Sequence, residues 1–317
     1  VSWRPGAATP LLRQKAALLA AIRRFFARRG VLEVETPLLC SSGVTDPAIE
    51  PLMVERGASV RQTRYLQTSP EYAMKRLLAA GSGPIFQIAH AFRDGEAGRR
   101  HNPEFTLLEW YRPGFDHHRL MAEVAELVRH CLGERGLHHY SYRRLFLEHL
   151  GIDPFTAPVD ELRQCARNHL DPGPLTGDRD LWLDLLLSHV IEPQLAGRGM
   201  CFVFDYPPSQ AALARVDREG GVAVGQRFEL YVDGVELANG YRELTDAAEQ
   251  RRRFERDNVR RREYGLPERP LDERLLAALA HGLPDCSGVA LGVDRLLMLA
   301  AGSSDIREVL AFDWERS

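Results

Sequence analysis

Pro84-Ile-Phe-Gln-Ile-Ala-His-Ala-Phe-Arg93 and Glu104-Phe-Thr-Leu-Leu-Glu-Trp-Tyr-Arg112 are β-rich runs on either side of a polar loop, Asp94 to Pro103. Two such runs predict an antiparallel pair of strands with a long, functional connection. Arg93, Arg99, Arg100, His101 and Asn102 cluster around that connection, a donor set that suits a triphosphate. A solvated, arginine-rich loop is the competing reading. Only Lys15 and Lys75 among the 41 lysines and arginines are lysine, so arginine is abundant everywhere in this chain.

The next informative stretch is Glu229-Leu-Tyr-Val-Asp-Gly-Val-Glu236, where Asp233-Gly234 between apolar runs signals a two-residue hairpin. That turn pairs Val232 with Val235, Tyr231 with Glu236 and Glu229 with Ala238. Glu229 and Glu236 then become diagonal neighbours on one face, roughly 7 to 8 Å apart, able to share divalent cations. Two solvated acids are the alternative. Asn239, Tyr241 and Glu243 fall on the opposite parity unless Gly240 makes a bulge, which the sequence leaves open.

Further out, Thr9-Pro10 opens a helix whose residues Leu11, Leu12, Ala16, Leu19, Ile22 and Phe26 share a face before Gly30 ends it. Val31 to Glu35 alternates as a half-buried strand and stops at Pro37. Leu66 to Ser69 reads as a strand and a cap for a helix carrying Pro70 and Glu71 in its first turn and ending near Gly81. Gly288-Val-Ala-Leu-Gly-Val-Asp-Arg295 reads as a glycine-spaced strand running into an apolar helix. Its glycines let a ligand approach the backbone. Tyr142 to Arg227 reads as helical pieces broken by prolines.

Composition narrows the class. The chain has 317 residues, 44% hydrophobic and 27% charged, with a net charge of −3, so it is neither disordered nor a strongly basic nucleic-acid binder. Five cysteines without ligand spacing argue against a disulfide framework or a structural zinc site. No apolar run approaches a membrane span. A cytoplasmic protein, not associated with membranes, is expected.

Together the segments resemble the three signature motifs of the class II aminoacyl-tRNA ligases. The first is similar to the opening helix with Val31 to Pro37, the second to Phe92-Arg93 through Tyr111, the third to Gly288 to Leu299. Arg100-His-Asn-Pro-Glu-Phe-Thr106, Glu236-Leu-Ala-Asn-Gly240 and Ser69-Pro-Glu71 resemble the lysine-specific branch. Nine residues precede Pro10, so no anticodon-binding domain is expected. The resemblance is closest to stand-alone paralogues that attach a lysine-type amino acid, preferentially (R)-β-lysine, to a lysine of elongation factor P.

The resemblance implies an α+β fold, a single catalytic domain over 1–317 built on an antiparallel sheet flanked by helices, with a mainly helical insertion at about 113–226. It implies ATP and Mg²⁺, a homodimer through the first motif, and no stable tRNA binding. Arg93 would hold the α-phosphate, and Phe105 and Arg295 would sandwich adenine, so Arg93 and Arg295 are the catalytic candidates. Asp94, Gly95, His101, Asn102, Glu236, Leu237 and Gly292 complete the implied ATP site. Glu229 and Glu236 would bind Mg²⁺. Glu71 would meet the amino group near the reacting carboxyl, Glu243 and Tyr111 the distal ammonium, with Ser69, Pro70, Asn239 and Ala290 lining the pocket.

Two positions depart from the family pattern. Gly95 stands where motif 2 has an acid, with Glu96 following; Ala290 replaces the middle glycine of motif 3. The Ala290 methyl is expected to favour a β-amino acid, by about 1–3 kcal/mol at most. Arg251 to Arg262 holds seven arginines against Glu255 and Asp257, a solvated helix face or a docking surface for an acidic partner. A truncated lysine-tRNA ligase and a non-catalytic nucleotide-binding paralogue are the alternatives to a ligase acting on elongation factor P.

Overall fold

The computed structural model describes residues 3–55 and 63–317. In chain order its elements are α1 (Thr9–Ala27), β1 (Leu32–Glu33), β2 (Leu39–Cys40), β3 (Met53–Glu55), β4 (Thr63–Leu66), α2 (Glu71–Ala79), β5 (Ile85–Phe92), β6 (Glu104–Pro113), α3 (His117–Leu132), β7 (Leu137–Ser141), α4 (Tyr142–Leu150), α5 (Val159–His169), α6 (Arg179–Leu186), β8 (Met200–Tyr206), β9 (Val216–Glu219), β10 (Val222–Val232), β11 (Val235–Arg242), α7 (Ala247–Glu263), α8 (Glu273–Gly282), β12 (Cys286–Gly292) and α9 (Val293–Ala301). They form two units. One takes residues up to Gly114, His130–Leu132 and everything from Thr245 on; the other takes Phe115–Arg129 and Gly133–Leu244. The class is α+β.

In the first unit β5 and β6 pair antiparallel from Ile85↔Tyr111 to Phe92↔Glu104, as their sequences predict. β12 adds antiparallel to β6, and β1 pairs parallel with β5. One face of this sheet packs on α1: Phe26 stacks on Phe86 with centroids 4.6 Å apart and meets Trp110 at 5.3 Å. Phe86, Leu108, Trp110, Leu291 and Phe26 are all buried there, each large apolar side chain worth about 1.5–3 kcal/mol of burial. Alternation sends Gln87, Phe105, Glu109, Tyr111 and Ala290 to the opposite face.

The helix at Thr9 forms where expected, but its buried residues are Leu18, Ile22, Phe25 and Phe26. Leu12 and Ala16 point outward, because only the C-terminal half of the helix lies over its own unit's core. The Val31 to Glu35 strand shrinks to Leu32–Glu33, with Leu32 56% exposed and Val31 buried instead. α2 begins one residue later than expected, at Glu71 with Pro70 as its N-cap, and Ser69 Oγ, one position before the cap, accepts the Glu71 N–H at 3.1 Å.

The second unit is less helical than its prolines suggest. Its strands run β7–β8–β10–β11, with β9 added to β10. β8 is an unbroken apolar run, Met200-Cys-Phe-Val-Phe, nearly all of it buried. Burial on both faces erases the period-two signal, so the sequence offered no strand pattern there. Tyr142, Phe146, Trp182, Leu186, Tyr206 and Tyr231 form this unit's apolar core.

Candidate active site

In the first unit the site grows from the β5–β6 connection. The Arg93 N–H donates to the Pro103 carbonyl at 2.9 Å, closing the loop at its base, and Gly98 and His101 bridge each other further out. Gly95 has φ +76° with nothing within 4 Å of the position a Cβ would take. A left-handed turn, which suits glycine, therefore occupies the place where the motif has an acid. Glu96 follows with Oε1 3.6 Å from Arg93 Nη1. Asp94 is exposed, and its N–H donates to the Glu50 carbonyl at 2.7 Å.

The Arg93 guanidinium carbon lies 5.1 Å from the Phe105 ring centroid. Across the loop, Arg295 Nη2 lies 2.7 Å from His101 Nε2, and its Nε donates to the Arg100 carbonyl at 3.2 Å. Guanidinium only donates, so Nε2 of His101 accepts and its proton sits on Nδ1. Burial, reinforced by Arg295, lowers the His101 pKa and keeps the ring neutral. Asn102 is occupied at both ends: its amide donates to the Glu104 carbonyl at 2.7 Å and accepts the Trp314 N–H at 2.9 Å. Its visible task is to hold the loop's return. Gly292 caps α9 beside Arg295, where an added Cβ would meet the Arg295 side chain at 3.6 Å.

Asp294 anchors this helix start. It is 2% exposed, accepts from Lys15 Nζ on Oδ1 and from the Thr106 N–H on Oδ2, each at 2.7 Å.

A residue the sequence reading missed lies at the middle of the open sheet face. Glu109 is 2% exposed, and its neighbours in register are Ala290 on β12 and Gln87 on β5. Ser69 Oγ donates to its Oε1 at 2.5 Å and Tyr111 Oη to its Oε2 at 3.1 Å. Glu71 pairs with the buried Lys75 at 2.6 Å. Pro70 is buried between these groups in sequence. The β6 alternation was the available signal: Glu109 is the one acid among Phe105, Leu107 and Tyr111 on that face. A carboxylate this deeply buried needs a cation or several donors.

In the second unit the Asp233-Gly234 hairpin forms, with Val232↔Val235 and Tyr231↔Glu236 as expected. Glu229 faces Asn239, not Ala238. The register slips by one because Leu237 bulges out of the ladder, a position other than Gly240. The extra residue reverses parity beyond it, so Asn239 and Tyr241 join Glu236, Glu229 and Arg227 on one face. Leu237 itself is buried, and Glu243, 1% exposed, bridges Ala214 just beyond β11.

Glu229 is already ordered. Arg227 Nη2 lies 2.5 Å from its Oε1, and Tyr231 Oη lies 2.5 Å from its Oε2. Arg227 also reaches the Gln210 carbonyl at 2.8 Å and Asn239 Oδ1 at 3.3 Å. Among the described residues no three His, Cys, Asp or Glu side chains form a metal cage. Mg²⁺ needs none: it takes one or two carboxylates and completes its shell with substrate phosphates and water. Glu229 and Glu236 on one face fit that role.

The arginine helix, α7, turns out to be paired largely within its own unit. Arg251 meets Glu273 at 2.5 Å, Arg252 and Arg253 meet Glu249 at 2.8 and 3.0 Å, Arg261 meets Glu50 at 2.6 Å and Arg262 meets Glu268 at 2.7 Å. Arg261 is fully buried.

The antiparallel sheet with its donor-lined β5–β6 loop, the glycine-spaced β12 and Arg295 in the first turn of α9 bring the three motif segments together in one unit. The chain matches the class II tRNA synthetases (D, K and N) over residues 1–316 and belongs to that family. Proteins of Pectobacterium carotovorum subsp. carotovorum (strain PC1), Salmonella typhi and Edwardsiella ictaluri are each 50% identical to it over 322 residues, covering 100% of this chain and 98% of theirs. All three are named elongation factor P–(R)-beta-lysine ligase. Among the described residues no helix is long and apolar enough to cross a membrane.

Proposed function

We propose that this protein activates a lysine-type amino acid, with (R)-β-lysine preferred, as an adenylate, and transfers it to a lysine side chain of elongation factor P. The observation that carries the reading is the Glu109 seat, a buried carboxylate flanked by the hydroxyls of Ser69 and Tyr111 on the sheet face next to the arginine-bearing loop. Such a seat matches an ammonium group. The names of the half-identical relatives support the choice of amino acid and acceptor.

In this reading the amino-acid carboxylate attacks the α-phosphorus of ATP and pyrophosphate leaves. The acceptor amine then attacks the acyl carbon, releasing AMP. Arg93 holds the α-phosphate and offsets charge that grows during attack, while Phe105 and Arg295 hold the adenine end. His101, neutral and bonded to Arg295, steadies the loop over the triphosphate. Glu229 and Glu236 would hold Mg²⁺, which neutralises the phosphates when bound. Glu71 meets the amino group nearest the carboxyl. Glu109 joins Tyr111 at the distal ammonium. An apolar amino acid brings no ammonium to these carboxylates, a loss of polar contacts that can cost about 10⁴- to 10⁵-fold in selectivity.

The assembly proposed is a symmetric homodimer through the first motif. In support, Leu12, Leu32, Leu39 and Met53 are exposed at 36, 56, 47 and 55% on the first unit. A cytoplasmic location without stable tRNA binding completes the proposal. The test supplies ATP, Mg²⁺ and labelled lysine or (R)-β-lysine to the protein with tRNA and unmodified elongation factor P together. Protease-sensitive label on the factor is expected; nuclease-sensitive label on tRNA would make it a minimal tRNA ligase instead.

A further inference from the structure

Arg261 of α7 is fully buried, and Arg269, just past the end of that helix, is buried too. Both guanidinium groups converge on one carboxylate, that of Glu50 in the connection between β2 and β3. Arg261 Nη2 lies 2.6 Å from its Oε2, and Arg269 Nη2 pairs with its Oε1. The two cations are braced in turn. Arg261 also donates to the Pro267 carbonyl at 2.7 Å and the Asp46 carbonyl at 3.2 Å, while Asn258 of α7 exchanges two hydrogen bonds with the Arg269 backbone, each at 2.9 Å. Buried charges need a partner, and here two of them share a single one.

The main chain of the same residue reaches the candidate ATP site. At the end of β5 the backbone donors alternate: the Phe92 N–H goes to the Gln67 carbonyl at 2.9 Å, the Arg93 N–H to the Pro103 carbonyl at 2.9 Å, and the Asp94 N–H to the Glu50 carbonyl at 2.7 Å. Arg93 is therefore set between two neighbours that are tied down on one side and its own bond on the other. Gln67 directly follows β4, whereas Glu50 lies outside every strand. Its two arginines fix where its carbonyl points.

We infer that Glu50 is a positioning residue for ATP: Arg261 and Arg269 lock its carboxylate, so that its carbonyl holds Asp94 and with it the placement of Arg93. This rests on the proposal that Arg93 holds the α-phosphate. The buried end of the arginine-rich helix then serves nucleotide binding within its own unit. A misplacement of about 1 Å caused far from the chemistry can cost about 10²-fold in rate, so a loosened anchor is large enough to read in kinetics.

The test compares Glu50→Gln and Arg269→Gln in the full chain, with Glu268→Gln as control because its pair with Arg262 is exposed. Amino-acid-dependent pyrophosphate exchange gives both KM values, and thermal melts with and without ATP report nucleotide binding apart from catalysis. Glu50→Gln is expected to raise KM for ATP at least tenfold with KM for the amino acid within twofold, and to shrink the rise in melting temperature that ATP alone produces. Arg269→Gln, which leaves Arg261 on the carboxylate, should raise KM for ATP at least threefold, again without moving KM for the amino acid. Glu268→Gln should leave both constants within twofold. KM for ATP within twofold in both Glu50→Gln and Arg269→Gln would overturn the inference. So would equal rises in the two KM values, or a lowered melting temperature with an undiminished ATP shift, which is what a purely structural role produces. If Glu50→Gln does not fold, Arg269→Gln decides on the same criteria. Exchange by the unaltered protein is scored first: without it the functional reading falls and this one with it, whereas exchange with unchanged constants in the variants overturns this one alone.

Discussion

Replacing Glu109 by Gln removes one negative charge from the open sheet face and keeps the shape of the side chain. The carboxylate is 2% exposed, with Ser69 Oγ at 2.5 Å and Tyr111 Oη at 3.1 Å. A glutamine of the same shape still offers an oxygen to one hydroxyl and an amide to the other, so folding stability should change by about 1 kcal/mol or less. The substrate ammonium fares differently. Breaking a buried ion pair by removing one partner costs about 3–5 kcal/mol. Because glutamine keeps an acceptor, the lower end applies, and about 3 kcal/mol corresponds to roughly 10²-fold in kcat/KM for the amino acid. Pyrophosphate exchange across a range of lysine and (R)-β-lysine concentrations measures it, with KM for ATP as the internal reference. The effect should fall mainly on KM for the amino acid. A KM within twofold of the unaltered protein, in a variant that melts at the same temperature, would refute the assignment of Glu109 to the ammonium.

Other outcomes follow from the same geometry. Ala290 lies opposite Glu109 in the β6–β12 register, so Ala290→Gly should move the ratio of α-lysine to β-lysine activation toward α-lysine by about 1–3 kcal/mol, roughly 5- to 150-fold, read as the ratio of kcat/KM values. Glu236→Gln should raise the Mg²⁺ concentration for half-maximal exchange about tenfold, and Glu229→Gln should do so too and also lower the melting temperature because Arg227 loses its counter-ion. Burial raises the Asp257 carboxyl from 3.8 to about 6, while Thr45 donates to its Oδ2 at 2.8 Å. The folded state therefore holds this proton more tightly than the unfolded chain, and stability is lost as pH rises from about 4 through 6. Asp257→Asn should remove that loss and stabilise the protein at pH 7 by about 1–3 kcal/mol, seen as a denaturation midpoint that no longer falls across this window.

Much of the first unit was legible because its signals are local. The β5–β6 pair, the Ser69 turn into α2 and the strand-to-helix change at Gly292 each rest on patterning within ten residues or so. What was hidden depends on contacts between distant segments. Glu109 reads as one acid in an apolar strand, and only the register with Ala290 and Gln87 and the approach of Ser69 reveal it as the buried centre of the face. Of the seven arginines from Arg251 to Arg262, five meet Glu50, Glu249, Glu268 or Glu273, and the burial of Arg253 and Arg261 shows only once those distant partners are in place. β8 was hidden for the opposite reason, being apolar on both faces and so without a period.

The hairpin shows most sharply where local reasoning stops. Asp233-Gly234 sets the pairing for the residues nearest the turn, and there the expected register holds. One residue further, Leu237 leaves the ladder, and its burial pays for the lost pairing. Without that bulge Asn239 and Tyr241 would sit behind the sheet, away from Glu229 and Arg227. With it, the contact between Arg227 and Asn239 Oδ1 at 3.3 Å becomes possible, beside a carboxylate that alternation along β10 already holds between the Arg227 guanidinium and the Tyr231 hydroxyl. A pre-ordered Glu229 loses little freedom when a cation arrives, and the bulge at Leu237 decides which β11 side chains, Asn239 and Tyr241, stand on its face.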